Sequence, residues 1–234
     1  MRLFFASDIE ANLYTFNEQE SKHIARVLRL KVENKLFLTD GKGYFYKAEI
    51  IEISNKKCTV KILDKELQEK HNYYLHIAIS PTKNNDRFEW FLEKATEIGI
   101  DEITPLLTKN SEREKIKLER FTKVIESAMK QSHKAYHPKI NDLTHIKDFL
   151  KLDLKYDKKL MAHCYDAQKY SLKKSVKEKE SILIMIGPEG DFTLEEVELA
   201  RLKDITPLSL GNYRLRTETA GIAAVQSIAF INQE

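Results

Sequence analysis

The sequence is poor in the residues that punctuate or staple a chain, with 7 Gly, 5 Pro and 2 Cys among 234 residues. So little Gly and Pro excludes collagen, low-complexity disorder and a Gly/Ser linker array. Cys58 and Cys164 lie far apart, with no CxxC and no His-x-Cys companion at ligand spacing. That excludes a disulfide framework and a zinc site, and both are expected to be buried, reduced thiols with no metal bound. The longest apolar run, Ile182 to Ile186, is five residues, against the roughly 20 needed to cross a bilayer. Met1-Arg2-Leu3-Phe4-Phe5 has no signal-peptide core, so a cytoplasmic location without membrane contact is expected. No period of about 20 to 50 residues recurs, which removes solenoids and propellers. Neither GxGxxG nor GxxxxGK[ST] occurs, so a dinucleotide-binding Rossmann domain or a P-loop nucleotidase loses its main support.

What is present is a folded protein: 42% apolar residues and 32% charged ones, enough to build a sizeable core in one large domain or two modest ones. The net charge, 39 minus 36, is only +3, but its distribution is uneven. Lys109 to Lys139 holds nine Lys/Arg against four Asp/Glu, with His133 and His137 in the same stretch. An RNA backbone could sit there.

The first seventy residues are dominated by strand signals. Arg2 to Ala6 reads as a strand. Asn17 with Glu20 reads as the start of a helix running through Ile24, Val27 and Leu28. Lys35 to Asp40, Tyr44 to Ser54 and Cys58 to Lys65 follow as strands, the first two joined by a hairpin at Gly41-Lys42-Gly43. Ala48, Ile50, (Ile51) and Ile53 nearly alternate, as expected of a small barrel or curled sheet with one buried face. Leu63 to Asn72 is charged, and a domain boundary is expected within it, giving domains 1–70 and 71–234. Beyond it strands alternate with helices. Tyr73 to Ser80, Ile103 to Leu107, Lys159 to Cys164, Ile182 to Ile186 and Ile205 to Leu210 read as strands. Helices follow from Phe88 to a cap at Gly99, around Leu118 to Ala128, after a capping box at Thr193-Leu194-Glu195-Glu196, and from Thr217 to Ile231. The expectation is an α/β domain with a mostly parallel sheet.

Ligand sites of open parallel sheets lie beyond the C-terminal ends of strands, so the loops after Cys164, Ile186 and Leu210 hold the chemistry. Gly187-Pro188-Glu189-Gly190 follows the most apolar strand and, taken alone, reads as a type I turn. Arg214 and Arg216 precede a helix whose macrodipole is already positive there, so Glu218 or a bound anion is expected to compensate them. Thr217 and Thr219 can cap that helix.

Gly187-Pro188-Glu189-Gly190, followed by Leu210-Gly211 and Leu215-Arg216-Thr217-Glu218-Thr219-Ala220, resembles the two C-terminal motifs of the SPOUT superfamily of knotted methyltransferases. The closer resemblance is to the ribosomal RNA small subunit methyltransferase E family. It is carried also by His23-Ile24-Ala25-Arg26-Val27-Leu28-Arg29, Glu93-Lys94-Ala95-Thr96-Glu97-Ile98-Gly99 with Pro105, Asn110-Ser111-Glu112-Arg113, and Gln131-Ser132 through Pro138. Three positions depart from the family pattern. Asp191 stands where a second Gly is usual, Lys134 where Arg is usual, and Tyr213-Arg214-Leu215-Arg216 where a more aliphatic loop is common.

The resemblance implies a PUA-like β-barrel for RNA docking and a SPOUT domain whose C-terminal chain forms a trefoil knot around S-adenosylmethionine. It implies methylation of N3 of a uridine in small-subunit ribosomal RNA, as free rRNA or the assembled subunit, by a homodimer with the last helix as a candidate contact. Cofactor contacts are expected at His163, Ile186, Gly187, Pro188, Glu189, Gly190, Leu210, Gly211, Leu215, Arg216, Thr217, Thr219 and Ala220. Arg113, Glu189 and Arg216 are the candidate catalytic residues, because uridine N3 carries a proton that a base must remove or whose loss cations must stabilise. Without the resemblance Arg113 reads as a solvated charge beside Glu112 and Glu114. Arg26, Arg29, Lys31 and Lys134 are the candidate RNA contacts. Two alternatives remain open: a SPOUT methyltransferase acting on another RNA, and an RNA-binding protein without catalysis.

Overall fold

The computed structural model describes residues 2–166 and 168–233. Its contacts divide the chain into two compact units, one of 1–70 with 129–137 and one of 71–128 with 138–234.

The first unit is a curled sheet. It contains β1 (Leu3–Phe5), β2 (Leu13–Phe16), α1 (Glu18–Lys22), β3 (Lys35–Thr39), β4 (Tyr44–Ile53) and β5 (Cys58–Leu67). The strand order is β1-β3-β4-β5-β2, antiparallel except for the β1/β3 pair. Phe4, Phe16, Ile24, Leu36, Leu38, Ala48, Ile50 and Val60 fill its core. The near-alternation of β4 has a physical cause: the pairing with β5 slips between Ile50 and Glu52, a bulge that puts Ile50 in the core and leaves Ile51 exposed.

The expected helix starts where predicted, with Asn17 Oδ1 accepting the Glu20 N–H, but it does not continue as an α-helix. His23–Val27 forms a π-helical turn, in which Leu28 N–H reaches His23 O at 3.0 Å. The wider turn rotates Val27 out of the buried face, so Ile24 is enclosed while Val27 is 66% exposed. β2 carried too short a signal to be foreseen, and β5, expected to end at Lys65, continues to Leu67.

Residues 129–137 join this unit by lying along the β3–β4 turn: Gly43 N–H bonds Ala135 O at 2.9 Å and His137 N–H bonds Gly41 O at 2.8 Å. Gly43 has φ +112°, and a Cβ there would stand 2.6 Å from the Tyr136 ring, so only glycine fits.

The second unit holds, in order, β6 (Tyr74–Ile79), α2 (Asn85–Ile98), β7 (Glu102–Leu107), α3 (Leu118–Gln131), β8 (Lys139–Ile140), β9 (Thr144–His145), α4 (Ile146–Phe149) and β10 (Lys158–Ala162). β11 (Tyr170–Ser171), α5 (Leu172–Ser175), β12 (Ser181–Ile186), α6 (Leu194–Arg201), β13 (Thr206–Ser209) and α7 (Thr217–Ile231) follow. The last residues of α3 are counted with the first unit. The sheet order is β11-β13-β10-β12-β6-β7-β8, with β9 also on β7, and every pair is parallel.

Both faces of this sheet are covered, which is why β12 is apolar throughout. Ile182, Ile184 and Ile186 join the core under α2 and α7, whereas Leu183 and Met185 join Phe149, Phe192 and Ala200 on the other side. α7 buries Ala220, Gly221, Ala224, Val225 and Ile228 and leaves Phe230 exposed, so it is core along one face only. Among the described residues no helix is long and apolar enough to cross a membrane.

Candidate active site

Register decides where the site forms. Ala162 of β10 is paired with Ile186 of β12 on one side and Leu208 of β13 on the other. Three strands therefore end in one row, and their loops leave the sheet together. They enclose a cavity of about 540 Å³ whose wall runs from Ala162 to Cys164, Ile186 to Glu189 with Asp191, and Leu208 to Thr217 with Ala220, Lys169 closing one side.

The loop after β12 is held by bonds from three other segments or side chains. Thr217 Oγ1 of α7 donates to Gly187 O at 3.1 Å, Arg214 Nη2 donates to Glu189 O at 3.2 Å, and Glu189 Oε1 accepts the Lys83 N–H at 3.1 Å. The hydrogen-bonded turn spans Pro188 to Asp191, one residue later than the sequence suggested, with Asp191 N–H on Pro188 O at 2.9 Å. Asp191 has φ +63°, the left-handed conformation for which glycine is the usual residue. Its carboxylate offsets that cost: Oδ2 accepts the Cys164 N–H at 2.7 Å and Oδ1 its neighbour's Phe192 N–H at 2.8 Å. A capping box, with Thr193 and Glu196 satisfying each other's backbone N–H groups, then starts α6 as expected.

Of the thirteen expected cofactor contacts, His163, Ile186, Gly187, Pro188, Glu189, Leu210, Gly211, Leu215, Arg216, Thr217 and Ala220 line the cavity. Gly190 and Thr219 do not. Gly190 O instead accepts from Asn110 Nδ2 at 3.0 Å, and Thr219 is exposed on α7. Arg113 is also off the wall: its guanidinium donates to the carbonyls of Thr82 and Lys83, the segment that anchors Glu189. Glu218 does not compensate Arg214 or Arg216, since its carboxylate faces Arg87 of α2 at 3.9 Å. Cys164 is exposed rather than buried, because it sits just beyond the end of β10, whereas Cys58 is enclosed in the first unit's core. Asp191, Lys169, Asn212 and Tyr213 were missed; the first and last two adjoin quoted motifs, but nothing near Lys169 marks it.

Three buried atoms of two cavity-lining residues have no hydrogen-bond partner: both ring nitrogens of His163 and Oε2 of Glu189. Burial, then the Lys169 ammonium, push the His163 pKa below the ordinary imidazole value, against an opposing pull from Asp191. Its ring is therefore neutral at pH 7 and offers one donor and one acceptor. Burial, then Asp191, push the Cys164 thiol up, so it is no thiolate nucleophile at neutral pH. Among the described residues no group of three His, Cys, Asp or Glu side chains could hold a metal.

Of the candidate RNA contacts, Arg26, Arg29, Lys31 and Lys134 all belong to the first unit. Arg26, Arg29 and Lys31 are exposed, with Arg26 Nε on Asn55 Oδ1 at 3.0 Å.

A parallel sheet with a loop-built cavity at its C-terminal edge, in a chain that also holds a curled, mostly antiparallel sheet, defines the class, and comparison agrees. Residues 68–229 match the RNA methyltransferase domain family and residues 16–63 the RNA methyltransferase PUA domain family. Among relatives, ribosomal RNA small subunit methyltransferase E of Rickettsia conorii is 31% identical over 212 residues, covering 89% of this chain and 86% of that protein. A Porphyromonas gingivalis structure described as a "probable rRNA-methyltransferase" superposes with a TM-score of 0.92 at 39% identity, covering 99% and 98% of the two chains. A Legionella pneumophila methyltransferase in complex with the bound cofactor SAM superposes at 0.87 with 25% identity, covering 97% and 96%. The chain is thus an RNA methyltransferase of the PUA-plus-SPOUT architecture. It belongs to the ribosomal RNA small subunit methyltransferase E family.

Proposed function

We propose that this protein methylates N3 of a uridine in small-subunit ribosomal RNA, with S-adenosylmethionine as donor. The supporting observation is the cavity with its three orphaned buried atoms. An unpaired buried polar atom costs about 1–3 kcal/mol, so such a cluster is explained by a ligand that completes it. The cavity suits that ligand in size, lying within the roughly 300–1,000 Å³ typical of small-molecule sites. The neutral His163 ring suits the donor and acceptor groups of a nucleoside. Backbone of the Gly187 and Gly211 loops, with Ile186, Leu210, Leu215 and Ala220 as apolar walls, would hold the rest. When bound, S-adenosylmethionine supplies an electrophilic methyl carbon on a sulfonium sulfur.

The chain's own residues prepare the acceptor. Glu189 Oε1 is committed to the Lys83 N–H, which leaves Oε2 to take the proton from uridine N3. Arg216, exposed on the cavity wall, balances the negative charge left on the imide. Arg113 acts as a positioning residue, holding the Thr82–Lys83 backbone that orients Glu189. Arg26, Arg29, Lys31 and Lys134 meet the RNA backbone from the PUA unit. The domain division near residue 70, the homodimer and the cytoplasmic location complete the proposal.

Incubating unmethylated small ribosomal subunits with protein and S-adenosylmethionine, then reverse transcribing the rRNA, tests it. An N3 methyl blocks Watson–Crick pairing, so a stop at one uridine that requires both components is expected. Full read-through would refute the reaction, and methylation found on a ribose hydroxyl would refute the position.

A further inference from the structure

Tyr213 is 88% exposed, the most of any large apolar side chain among the described residues, although it sits on the wall of the cavity. An aromatic ring left in water gains nothing for folding. The surrounding loop is nevertheless fixed. Arg214 is tied to Glu189 O at 3.2 Å, Ser209 Oγ exchanges contacts with Gly211 at 3.2 and 3.4 Å, and Leu215 packs on the main core. A Cβ on Gly211 would find no heavy atom within 4 Å, so the space over this loop is open. The rim therefore presents an exposed ring one residue from the arginine that grips the Glu189 backbone and three residues from the exposed Arg216.

We infer that Tyr213 is the platform on which the target pyrimidine stacks once it has left the RNA stack. This rests on the reaction proposed above and adds to it the group that receives the base. An unpaired nucleobase offers a π-face and an adjacent phosphate, and the rim supplies a ring and the exposed Arg216 side chain for them. The Arg214 bond matters because it ties the loop that carries the ring to the Glu189 backbone. Since the ring is in solvent, truncating it leaves the fold intact.

The test uses the full chain with Tyr213→Ala, Tyr213→Phe and Tyr213→Trp. With small ribosomal subunits as substrate, Tyr213→Ala is expected to lower kcat/KM about 5- to 150-fold, the equivalent of one lost base–aromatic stack. Tyr213→Phe should keep the wild-type kcat/KM. A Tyr213→Ala enzyme as active as wild type, or a Tyr213→Phe enzyme as impaired as Tyr213→Ala, would overturn the inference. Emission from Tyr213→Trp, corrected for Trp90 with the wild-type protein, gives a readout that needs no methyl transfer. It should be quenched by a uridine-containing oligoribonucleotide and not by its abasic counterpart. Equal emission with both, or a change with protein concentration alone that marks a contact between copies, would also overturn it. If the wild-type enzyme transfers no methyl group the proposed reaction fails, while the quenching still decides the stacking.

Discussion

Asp191 allows the local energetics of the cavity to be tested by three substitutions with different expected costs. Its backbone is left-handed at φ +63°, and its carboxylate links the loop after β12 to Cys164 beyond β10 at 2.7 Å and closes on Phe192 N–H at 2.8 Å. Asp191→Ala keeps the strained backbone, about 1 kcal/mol for an L-residue with no local hydrogen bond, and loses both bonds at about 1 kcal/mol each, since water reaches Cys164. The wild type carries that strain too, so the expected cost is about 2 kcal/mol. Asp191→Gly loses the same bonds and relieves the strain but adds back up to about 1 kcal/mol of unfolded-chain entropy, so about 1–2 kcal/mol is expected. Asp191→Asn tolerates the conformation and keeps one acceptor oxygen, at about 1 kcal/mol or less. Urea unfolding of the four proteins measures the series, and calorimetric titration with S-adenosylmethionine shows whether affinity falls in the same order. A glycine variant more stable than wild type would refute the reasoning, because it would mean that the two carboxylate bonds contribute nothing.

On the opposite side of the Gly221 backbone from open solvent, a Cβ would stand 2.6 Å from the fully buried Phe91 ring and 3.0 Å from Ile79. Gly221→Ala should lower stability by about 1–3 kcal/mol in chemical denaturation, and an unchanged midpoint would show that α7 can shift away from α2 freely. Burial pushes the His76 pKa down from 6.5 to about 4, with Glu102 opposing and Lys139 assisting, while its ring nitrogens meet Tyr156 and Thr104 oxygens at 2.7 Å. The unfolded chain therefore takes up this proton first, so the stability present above pH 6.5 declines as pH falls toward 4, by about 3 kcal/mol in all. His76→Gln should flatten that slope in urea titrations at pH 7, 5.5 and 4.5, and an identical slope would remove His76 as its source. Reversing both Arg26 and Arg29 to Glu should weaken RNA binding and lower its salt slope while S-adenosylmethionine affinity stays normal; an unchanged slope in filter binding at several salt concentrations would rule out their phosphate contacts.

Local chemistry determined much of this protein before any folding. The apolar run Ile182 to Ile186 can satisfy itself only with both faces covered, and Thr193 with Glu196 caps a helix through atoms three residues apart. Gly187-Pro188-Glu189 and Leu215-Arg216-Thr217 were legible as motif residues, and all six line one cavity. Where the outcome depended on a distant partner, the chain alone was silent. The bulge that frees Ile51 and the attachment of residues 129–137 to the first unit each follow from a pairing between separate segments. The same holds for chemistry. Arg113 was legible as a charge, but only the fold sends it to the Thr82 and Lys83 carbonyls, and only the shared row of Ala162, Ile186 and Leu208 brings three loops to one cavity. Spacing along a chain fixes which face a residue occupies within its own element; strand register and loop-to-loop hydrogen bonds, which are long-range, decide what that face meets.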